Sequence, residues 1–268
     1  RLEGRPPGGL TTAAWDPNLG RGSYHLRGGV MQNLGERVAL ITGAAGNLGQ
    51  ATAVAFRRAG VHTVLVDHAR GRLEKLFPDL VGSVDHLFVG GVDLTDTAAV
   101  EELTATVMDH FERIDALVNT VGTYRGGKPV HEESLDTWEL LFDANVRTAL
   151  LTVKAVVPVM LQQGSGRIVN VGSRSALRGG ARTAAYSASK SAVVRLTESL
   201  AAELEVSGIR VNCVLPSTID TPQNREAMPD ADFSTWVTPE AIAEVIVFLA
   251  SDAARGITGA AVPVYGGG

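Results

Sequence analysis

The stretch ITGAAGNLGQATAVAF, residues 41–56, joins an apolar strand-like run to an alanine-rich segment through a glycine-rich turn. Gly43, Gly46 and Gly49 fall in this turn, where a backbone without side chains can bend sharply and approach a ligand. Free amide groups at the start of a helix can bind a pyrophosphate. A glycine-rich turn alone is weak evidence, because many tight turns contain glycine and bind nothing. Its place between the first strand and the first helix predicts a dinucleotide site.

Strand-like and helix-like segments alternate from residue 36 onward. The strand candidates, short and rich in Val and Ile, are 37–42, 62–67, 86–94, 114–120, 166–173, 209–215 and 260–265. The helix candidates are 47–59, 97–111, 134–163, 186–206 and 238–251, with a weaker one near 70–77. Strands that are apolar on both faces are typical of a parallel sheet covered by helices. The pattern predicts an α/β fold: a Rossmann-like, doubly wound, seven-stranded parallel sheet with helices on both faces.

The beginning of the chain differs from the rest. Residues 1–30 are rich in Gly and Pro and show neither a helical nor a strand period. We interpret them as a flexible N-terminal extension or an added leader, and residues 31–268 as a single dinucleotide-binding catalytic domain. The alternative, a native arm that docks on a partner subunit, remains open.

Composition excludes several classes of function. The net charge of −5 and the pI of about 5.7 argue against nucleic acid or an anionic membrane as a partner. No uninterrupted apolar run approaches the length of a membrane span. The lone Cys213 lies in the apolar run IRVNCVLP, which favours a buried hydrophobe over a catalytic thiol. We expect a cytoplasmic protein without a metal site.

Two carboxylates follow strands of the predicted sheet. Asp67 closes the second strand, where a carboxylate can accept hydrogen bonds from the adenosine ribose hydroxyls and repel a 2′-phosphate. An exposed loop aspartate is the alternative. Asp93 follows the third strand candidate and could bind the adenine or cap the helix that starts after Thr95.

A second cluster of polar side chains lies in SRSALRGGARTAAYSASKSAVV, residues 173–194. Tyr186 and Lys190 are four residues apart in a predicted helix, so they lie on the same face. Ser173 stands thirteen residues before Tyr186, at the end of the fifth strand candidate. Judged alone, a tyrosine and a lysine at this spacing are more often surface residues without a function than catalytic residues.

Taken together, these motifs resemble the compact, single-domain branch of the short-chain dehydrogenase/reductase family. The matching residues are TGAAGNLG at 42–49, Asp67, Asp93-Leu94, NTVG at 119–122, Asn145, Ser173 and YSASK at 186–190. The resemblance covers residues 36–268, and the order and spacing of its motifs are highly specific.

The resemblance implies a role for each of four catalytic residues. Tyr186 would give and take the proton of a carbonyl/alcohol pair, and Lys190 would lower the tyrosine pKa. Ser173 would orient the substrate oxygen, and Asn145 would support a proton-relaying water. The implied cofactor-binding residues are Gly43, Ala45, Asn47, Leu48, Asp67, Asp93, Leu94, Asn119, Gly122, Tyr186, Lys190, Pro216, Ile219 and Thr221.

Three positions depart from the family pattern. Asn47 takes the place of the middle glycine of TGxxxGxG, and we expect the turn to survive because Asn tolerates a positive φ. The family's NNAG is Asn119-Thr120-Val121-Gly122 here, which puts the floor beneath the adenine ribose in doubt. Its Pro-Gly after the sixth strand is Pro216-Ser217, which leaves the turn beside the nicotinamide less certain.

Residues 215–236 fall where this family places a loop over the substrate, and their prolines favour a lid. This stretch also resembles dihydropteridine reductases, which typically lack the serine that this chain has as Ser173. Arg125, Arg174 and Arg178 fall in loops near the expected pocket mouth, where they could meet an anionic substrate or be solvated surface residues.

The favoured interpretation is an NAD(H)-dependent oxidoreductase acting on a small carbonyl or secondary alcohol. Alternatives are a 3-oxoacyl thioester reductase, a dihydropteridine-type reductase, and a non-catalytic dinucleotide-binding partner protein. The resemblance also implies a homotetramer, or a dimer, that pairs helices 134–163 and 186–206.

Overall fold

The computed structural model describes residues 34–266, so the predicted boundary at residues 30 and 31 lies outside the described part of the chain. Its strands are β1 (Val38–Thr42), β2 (His62–Asp67), β3 (His86–Gly90), β4 (Ala116–Asn119), β5 (Gly166–Val171), β6 (Ile209–Pro216) and β7 (Ala261–Val264). They form one seven-stranded sheet in the order β3-β2-β1-β4-β5-β6-β7. Every neighbouring pair is parallel. The predicted sheet is confirmed.

Helices cover both faces of the sheet. They are α1 (Asn47–Arg58), α2 (Arg72–Leu76), α3 (Thr97–Phe111), α4 (Leu135–Phe142), α5 (Thr148–Gln163), α6 (Ala184–Leu204), α7 (Pro222–Ala227) and α8 (Pro239–Ala250). Side chains alternate along each strand, so Ile41 packs with α1 and α8 in one core cluster, whereas Leu40 packs with α3, α5 and α6 in the other. This arrangement is the doubly wound fold that the β–α alternation predicts.

The strand order reverses between β1 and β4, because the chain first builds β2 and β3 on one side of β1 and then β4 to β7 on the other. In open parallel sheets, ligands bind in the crevice that opens at such a point, beyond the carboxyl ends of the strands. The fold therefore directs attention to the loops after β1, β4, β5 and β6.

The third strand ends earlier than predicted. It stops at Gly90 rather than at Leu94, because Gly91 has a φ of +85° and its amide, with that of Val92, turns back to the carbonyl of Asp67. Asp93 consequently lies in a turn. Its carboxylate accepts hydrogen bonds from the amide and hydroxyl of Thr95, while Asp96 caps α3. The suggested helix-capping role of Asp93 is wrong.

The predicted helix 134–163 is interrupted by a wider turn. Residues Asp143–Arg147 form a π-helical turn between α4 and α5. By length and composition alone Leu135–Gln163 is apolar enough to cross a membrane, with a mean hydropathy of 1.4 in its most apolar window, although charged residues such as Arg147 and Lys154 interrupt it. In the fold, the apolar side chains of Val153, Val156 and Met160 are buried in the hydrophobic core.

The same helical stretch also exposes four leucines. Leu135, Leu140, Leu150 and Leu161 are 77%, 46%, 39% and 46% exposed. Among large hydrophobic side chains, α6 exposes none, and it presents the Arg195–Glu198 ion pair outward instead. Of the two helical stretches that the resemblance implies would pair, only the one containing α4 and α5 therefore exposes large apolar side chains.

Candidate active site

A cavity of 590 Å³ opens at the carboxyl edge of the sheet, where the strand order reverses. It is lined by residues that follow β1, β4, β5 and β6 and by the start of α6. Ten predicted site residues line it: Gly43, Asn47, Leu48, Gly122, Ser173, Tyr186, Lys190, Pro216, Ile219 and Thr221. Sequences that are far apart along the chain thus meet in one place.

The glycine-rich turn is tight for steric reasons. Gly43 has a φ of +64°, which glycine adopts without strain. A Cβ at Gly49 would lie 2.2 Å from the carbonyl oxygen of Gly43, so no larger residue fits there. Asn47 is the first residue of α1 and is not among the residues with positive φ. The expectation that Asn47 replaces glycine because it tolerates a positive φ is wrong, since the helix starts there.

The start of α1 suits an anionic ligand. Its N-cap residue, Gly46, makes no side-chain hydrogen bond to the first turn, and that turn contains no acidic residue. The side chain of Asn47 is directed to the lid, where its Nδ2 donates to Oε1 of Gln223 at 2.8 Å. The backbone amides of the first turn are therefore left for a ligand such as a pyrophosphate.

Tyr186 lies within the first turn of α6 and Lys190 one turn later, and both line the cavity. Burial raises the pKa of the Tyr186 phenol, and the nearby Ser173 hydroxyl acts in the opposite direction. The neighbouring Tyr124, whose ring meets that of Tyr186 edge-on at 4.9 Å between centroids, raises it further. Among the protein's own groups, the Ser173 hydroxyl and not Lys190 lowers the pKa of Tyr186, and burial outweighs it.

Lys190 is the most deeply buried cation of the site. Its Nζ donates to the carbonyl oxygen of Val171 at 2.9 Å, and within the described residues this is its one hydrogen-bond acceptor. Burial lowers the pKa of Lys190 to about 8. An ammonium group has three protons to donate, so two remain for a ligand in the cavity. Ribose hydroxyls are acceptors of the kind that would fit.

Asn145 lies behind the cavity rather than in its lining. It belongs to the π-helical turn and is buried, with Oδ1 accepting from the amide of Thr123 and Nδ2 donating to Ser189 Oγ. A π-helical turn shifts the backbone register and is frequent at functional sites. A Cβ at Gly122 would come within 2.9 Å of Asn145 Oδ1 and 3.0 Å of Lys190 Nζ, so this glycine keeps the floor open.

The remaining predicted cofactor residues do not line this cavity. Ala45 and Leu94 place their side chains in the hydrophobic core, which leaves only their backbone groups available. Asn119 is buried and bonds Thr152 and Asn170, so its amide ties β4 to its neighbours. For these residues a role in holding the cofactor through the side chain conflicts with their burial.

Asp67 lies beyond the end of the cavity, with only 5% of its surface exposed. Its Oδ1 accepts from the amide of Ala69 at 2.9 Å. Arg70 lies close by, where its Nε would be 2.6 Å from a Cβ at Gly91. Asp67 thus ends β2 and Arg70 follows it, at the carboxyl edge of the sheet, where the glycine turn follows β1.

Several lining residues are absent from the sequence-based list. They include Thr120, Thr123, Tyr124, Ser175, Thr183, Ser217, Thr218, Asn224 and Met228. Most are loop residues whose types carry no chemical signature. Their positions next to Gly122, Ser173 and Pro216 are the signal that could have identified them. Of the three arginines expected near the mouth, Arg174 lines the cavity, and Arg125 and Arg178 do not.

The lid expected at 215–236 contains the short helix α7, capped by Thr221. Ile219, Thr221, Asn224 and Met228 line the cavity from this segment. Arg225 holds the segment together through two hydrogen bonds to Asp220 and by stacking over Phe233 at 4.7 Å. Within the described residues, no group of His, Cys, Asp and Glu side chains could hold a metal ion.

Comparison with known proteins points to one family. The model of the family described as short chain dehydrogenase matches residues 37–232. An uncharacterized oxidoreductase of Staphylococcus haemolyticus is 34% identical, over 81% of this chain and 92% of that protein. A 3-oxoacyl-[acyl-carrier-protein] reductase of Thermotoga maritima is 33% identical, over 86% of this chain and 97% of that protein.

A solved structure supports the same conclusion. The NAD⁺-bound xylitol dehydrogenase superimposes with a TM-score of 0.80 at 29% identity, over 87% of this chain and 99% of that one. The sheet, the site and the relatives agree, and the chain belongs to the short-chain dehydrogenase/reductase family of oxidoreductases.

Proposed function

We propose that this protein is an NAD(H)-dependent oxidoreductase that interconverts a small carbonyl compound and its secondary alcohol. One observation carries the proposal: Ser173, Tyr186 and Lys190 line the same cavity, next to the uncapped start of α1. A protein that only bound a dinucleotide would have no use for a serine and a tyrosine in that arrangement.

Each residue then has a separate task. Nicotinamide, when bound, supplies or accepts the hydride. Tyr186 donates its phenolic proton to the carbonyl oxygen in reduction and removes it in oxidation. Ser173 hydrogen-bonds the same oxygen and holds it against Tyr186. Lys190 binds the ribose hydroxyls, and its charge beside the phenol favours the phenolate. Asn145 supports the water that passes protons to Lys190.

The remaining residues hold the dinucleotide. The first-turn amides of α1 bind the pyrophosphate, and Asp67 accepts from the ribose of the adenosine. Asp93 binds the adenine, and Ile219 and Thr221 meet the carboxamide from the lid. A carboxylate at Asp67 favours NAD(H) over NADP(H). A cytoplasmic location and a homotetramer or dimer complete the proposal.

A second candidate is favoured by one of the relatives. The Thermotoga maritima relative is named a 3-oxoacyl-[acyl-carrier-protein] reductase, so reduction of 3-oxoacyl thioesters is the main alternative for this chain. The absence of a basic residue at Ala45, Gly46 or Asn47 in the glycine turn argues against an NADPH-dependent enzyme of that kind.

The proposal is tested by a panel of ketones, secondary alcohols, quinonoid compounds and 3-oxoacyl thioesters, each with NADH and NADPH or their oxidised forms. The matched control is Tyr186→Phe, which keeps the ring and removes the proton donor. We expect turnover to be lost in this variant while NADH affinity, followed by cofactor fluorescence, changes little. Substantial residual turnover in Tyr186→Phe contradicts the assignment of the acid and base.

A further inference from the structure

The cavity around Ser173 and Tyr186 is unbalanced in charge. Its lining contains two charged side chains, Arg174 and Lys190, and both are cations. Lys190 is buried at the floor and donates to a backbone carbonyl. Arg174 directly follows Ser173 in the chain, and its side chain is exposed at the mouth of the cavity. A cavity with two cations and no carboxylate attracts a ligand of opposite charge.

Arg174 is held in a defined position. Its guanidinium carbon lies 5.7 Å from the centre of the Tyr265 ring. That ring packs against a small apolar cluster made of Val193, Val194, Cys213 and Leu215. Ser217 fixes the backbone by donating from its hydroxyl to the Tyr265 carbonyl oxygen at 2.6 Å. Because stacking uses the face of a guanidinium, its N–H groups stay free to bind an anion.

No carboxylate of the described residues neutralises the charge of Arg174. In the described part of the chain, the guanidinium of Arg174 has no carboxylate within ion-pair distance. By contrast, Arg225 on the lid is paired with Asp220, and Arg195 on α6 with Glu198. The guanidinium beside the catalytic serine is therefore not neutralised by a carboxylate of the described residues, and the same holds for Arg125, Arg178 and Arg182.

Further cations lie in the two loops that contribute Thr123, Tyr124, Arg174 and Thr183 to the cavity lining. The loop segments 120–131 and 173–183 contain no Asp or Glu, although the net charge of the chain is −5. Their cations are Arg125, Lys128, Arg174, Arg178 and Arg182. The two loops are joined by a hydrogen bond of 2.8 Å from the Gly127 amide to the Arg182 carbonyl oxygen. These two loops are thus basic on an acidic protein, whereas the lid on the other side of the cavity carries Asp220, Glu226, Asp230 and Asp232 with Arg225.

We propose that the substrate carries an anionic group that binds Arg174 while its carbonyl oxygen lies against Ser173 and Tyr186. This inference rests on the function proposed above and narrows it to a class: oxo acids and their hydroxy acids, or oxo compounds that carry a phosphate. Arg174 fixes the orientation of such a substrate, and the surrounding cations attract it to the entrance.

The test compares compounds that differ only in charge. The oxo acids 3-oxobutanoate, 4-oxopentanoate and 5-oxohexanoate are each assayed beside their methyl esters with NADH. We expect the preferred acid to exceed its ester at least about tenfold in kcat/KM, mainly through KM, as one charge-assisted hydrogen bond allows. The advantage of the acid should shrink as ionic strength rises, and ester turnover should not follow it.

Three variants locate the source of the preference. Arg174→Gln should bring the ratio of acid to ester close to one, and Arg174→Lys should restore part of it. Arg255→Gln removes the same charge from the segment after α8, next to Asp252 at the amino edge of the sheet, and should keep the ratio. An acid preference that survives Arg174→Gln overturns the inference. Equal turnover of acids and esters in the unmutated protein overturns it as well, unless the phosphate comparison below shows a preference that depends on Arg174.

A second comparison distinguishes a carboxylate from a phosphate as the anionic group of the substrate. Acetoacetyl-coenzyme A is assayed beside the acetoacetyl thioester of N-acetylcysteamine, which lacks phosphates. A preference for the coenzyme A thioester that falls in Arg174→Gln assigns the anion to a phosphate and supports the inference. If this preference falls in Arg178→Gln and not in Arg174→Gln, Arg178 binds the anion, and the inference about Arg174 is overturned.

Calorimetric binding of each oxo acid to the NADH-loaded protein separates this inference from the proposed function. Binding that is lost in Arg174→Gln supports the anion site even if no compound is turned over, in which case only the reaction is wrong. If no acid is turned over and none binds more weakly to Arg174→Gln, the anion site is wrong as well.

Discussion

Lys190 Nζ donates a hydrogen bond to the carbonyl oxygen of Val171, 2.9 Å away, and so joins the first turns of α6 to the last residue of β5. This contact places an ammonium group in a fully buried position one turn beyond Tyr186. The catalytic helix and the strand that precedes Ser173 are thereby fixed relative to one another. The cost of burying the charge is visible in the pKa of Lys190, lowered to about 8.

The first prediction concerns stability against pH. The pKa of Lys190 is lower in the folded protein, about 8, than its ordinary value of 10.5, so the unfolded chain binds more protons between these pH values. Stability contributed by this group therefore rises with pH across that window. Between pH 8 and pH 10.5, we expect the free energy of unfolding of the wild type to rise by about 3 kcal/mol more than that of Lys190→Met.

Urea unfolding of both proteins at matched pH values measures this difference, because titrating groups that do not interact with Lys190 are common to both and cancel. The Cys213 thiol is the exception: burial raises its pKa to about 11 and Lys190 lowers it, so the same comparison in a Cys213→Ala background isolates Lys190. The absolute offset between the two proteins also contains the lost hydrogen bond to Val171, so only its slope with pH is informative. Parallel curves over the window would show that Lys190 titrates at its ordinary pKa.

The second prediction concerns the choice of cofactor. Asp67 is nearly buried, so the phosphate of NADPH would lie against a poorly solvated carboxylate. We expect NADH to be favoured over NADPH by about a hundredfold or more in kcat/KM. Asp67→Ala should erode this preference mainly by admitting NADPH. Arg70→Gln is the matched test of the nearby cation. If the wild type uses NADH and NADPH equally well and Arg70→Gln prefers NADH, then Arg70 overrides Asp67.

The third prediction concerns the lid. The hydrogen bond from Asn47 Nδ2 to Gln223 Oε1 joins the glycine turn to α7. A net hydrogen bond of about 1 kcal/mol corresponds to a several-fold change in an opening equilibrium. We expect Asn47→Ala and Gln223→Ala each to speed NADH release about two- to tenfold and to speed amide hydrogen exchange in 219–228.

The double variant Asn47→Ala/Gln223→Ala should be no faster than either single one, because both remove the same contact. Glu226→Ala, an exposed change on the same helix, is the control and should leave exchange unchanged. Additive effects in the double variant would show that the two residues act separately.

The fourth prediction concerns assembly. Leu150 and Leu161 are 39% and 46% exposed and lie on one face of α5, three helical turns apart. We expect a tetramer or dimer at micromolar concentration, reduced to smaller species by Leu150→Lys and Leu161→Lys, as light scattering would reveal. Val206→Lys places the same charge on an apolar residue that is 95% exposed outside these helices, and it should leave the mass unchanged. A monomeric wild type would contradict the prediction.

The sequence alone determined the sheet, its helices and the residues whose chemistry is distinctive. Strand and helix periods are local properties, so alternation of the segments was enough to predict a parallel sheet. Gly49 could be recognised because a turn that excludes any Cβ leaves a glycine in the sequence. Tyr186 and Lys190 could be paired because helical spacing alone puts them on one face.

Only the tertiary structure decided how the loops meet around these residues. The end of β3 at Gly90 depends on hydrogen bonds to Asp67, which is remote in sequence, and the start of α1 at Asn47 depends on the turn before it. The sequence could place Arg174 only in a loop near the expected pocket mouth, beside Arg125 and Arg178, since no pattern within the chain puts it on Tyr265 or leaves it without a carboxylate. Burial and charge balance arise from residues brought together by folding, so they cannot be found in a local stretch of sequence.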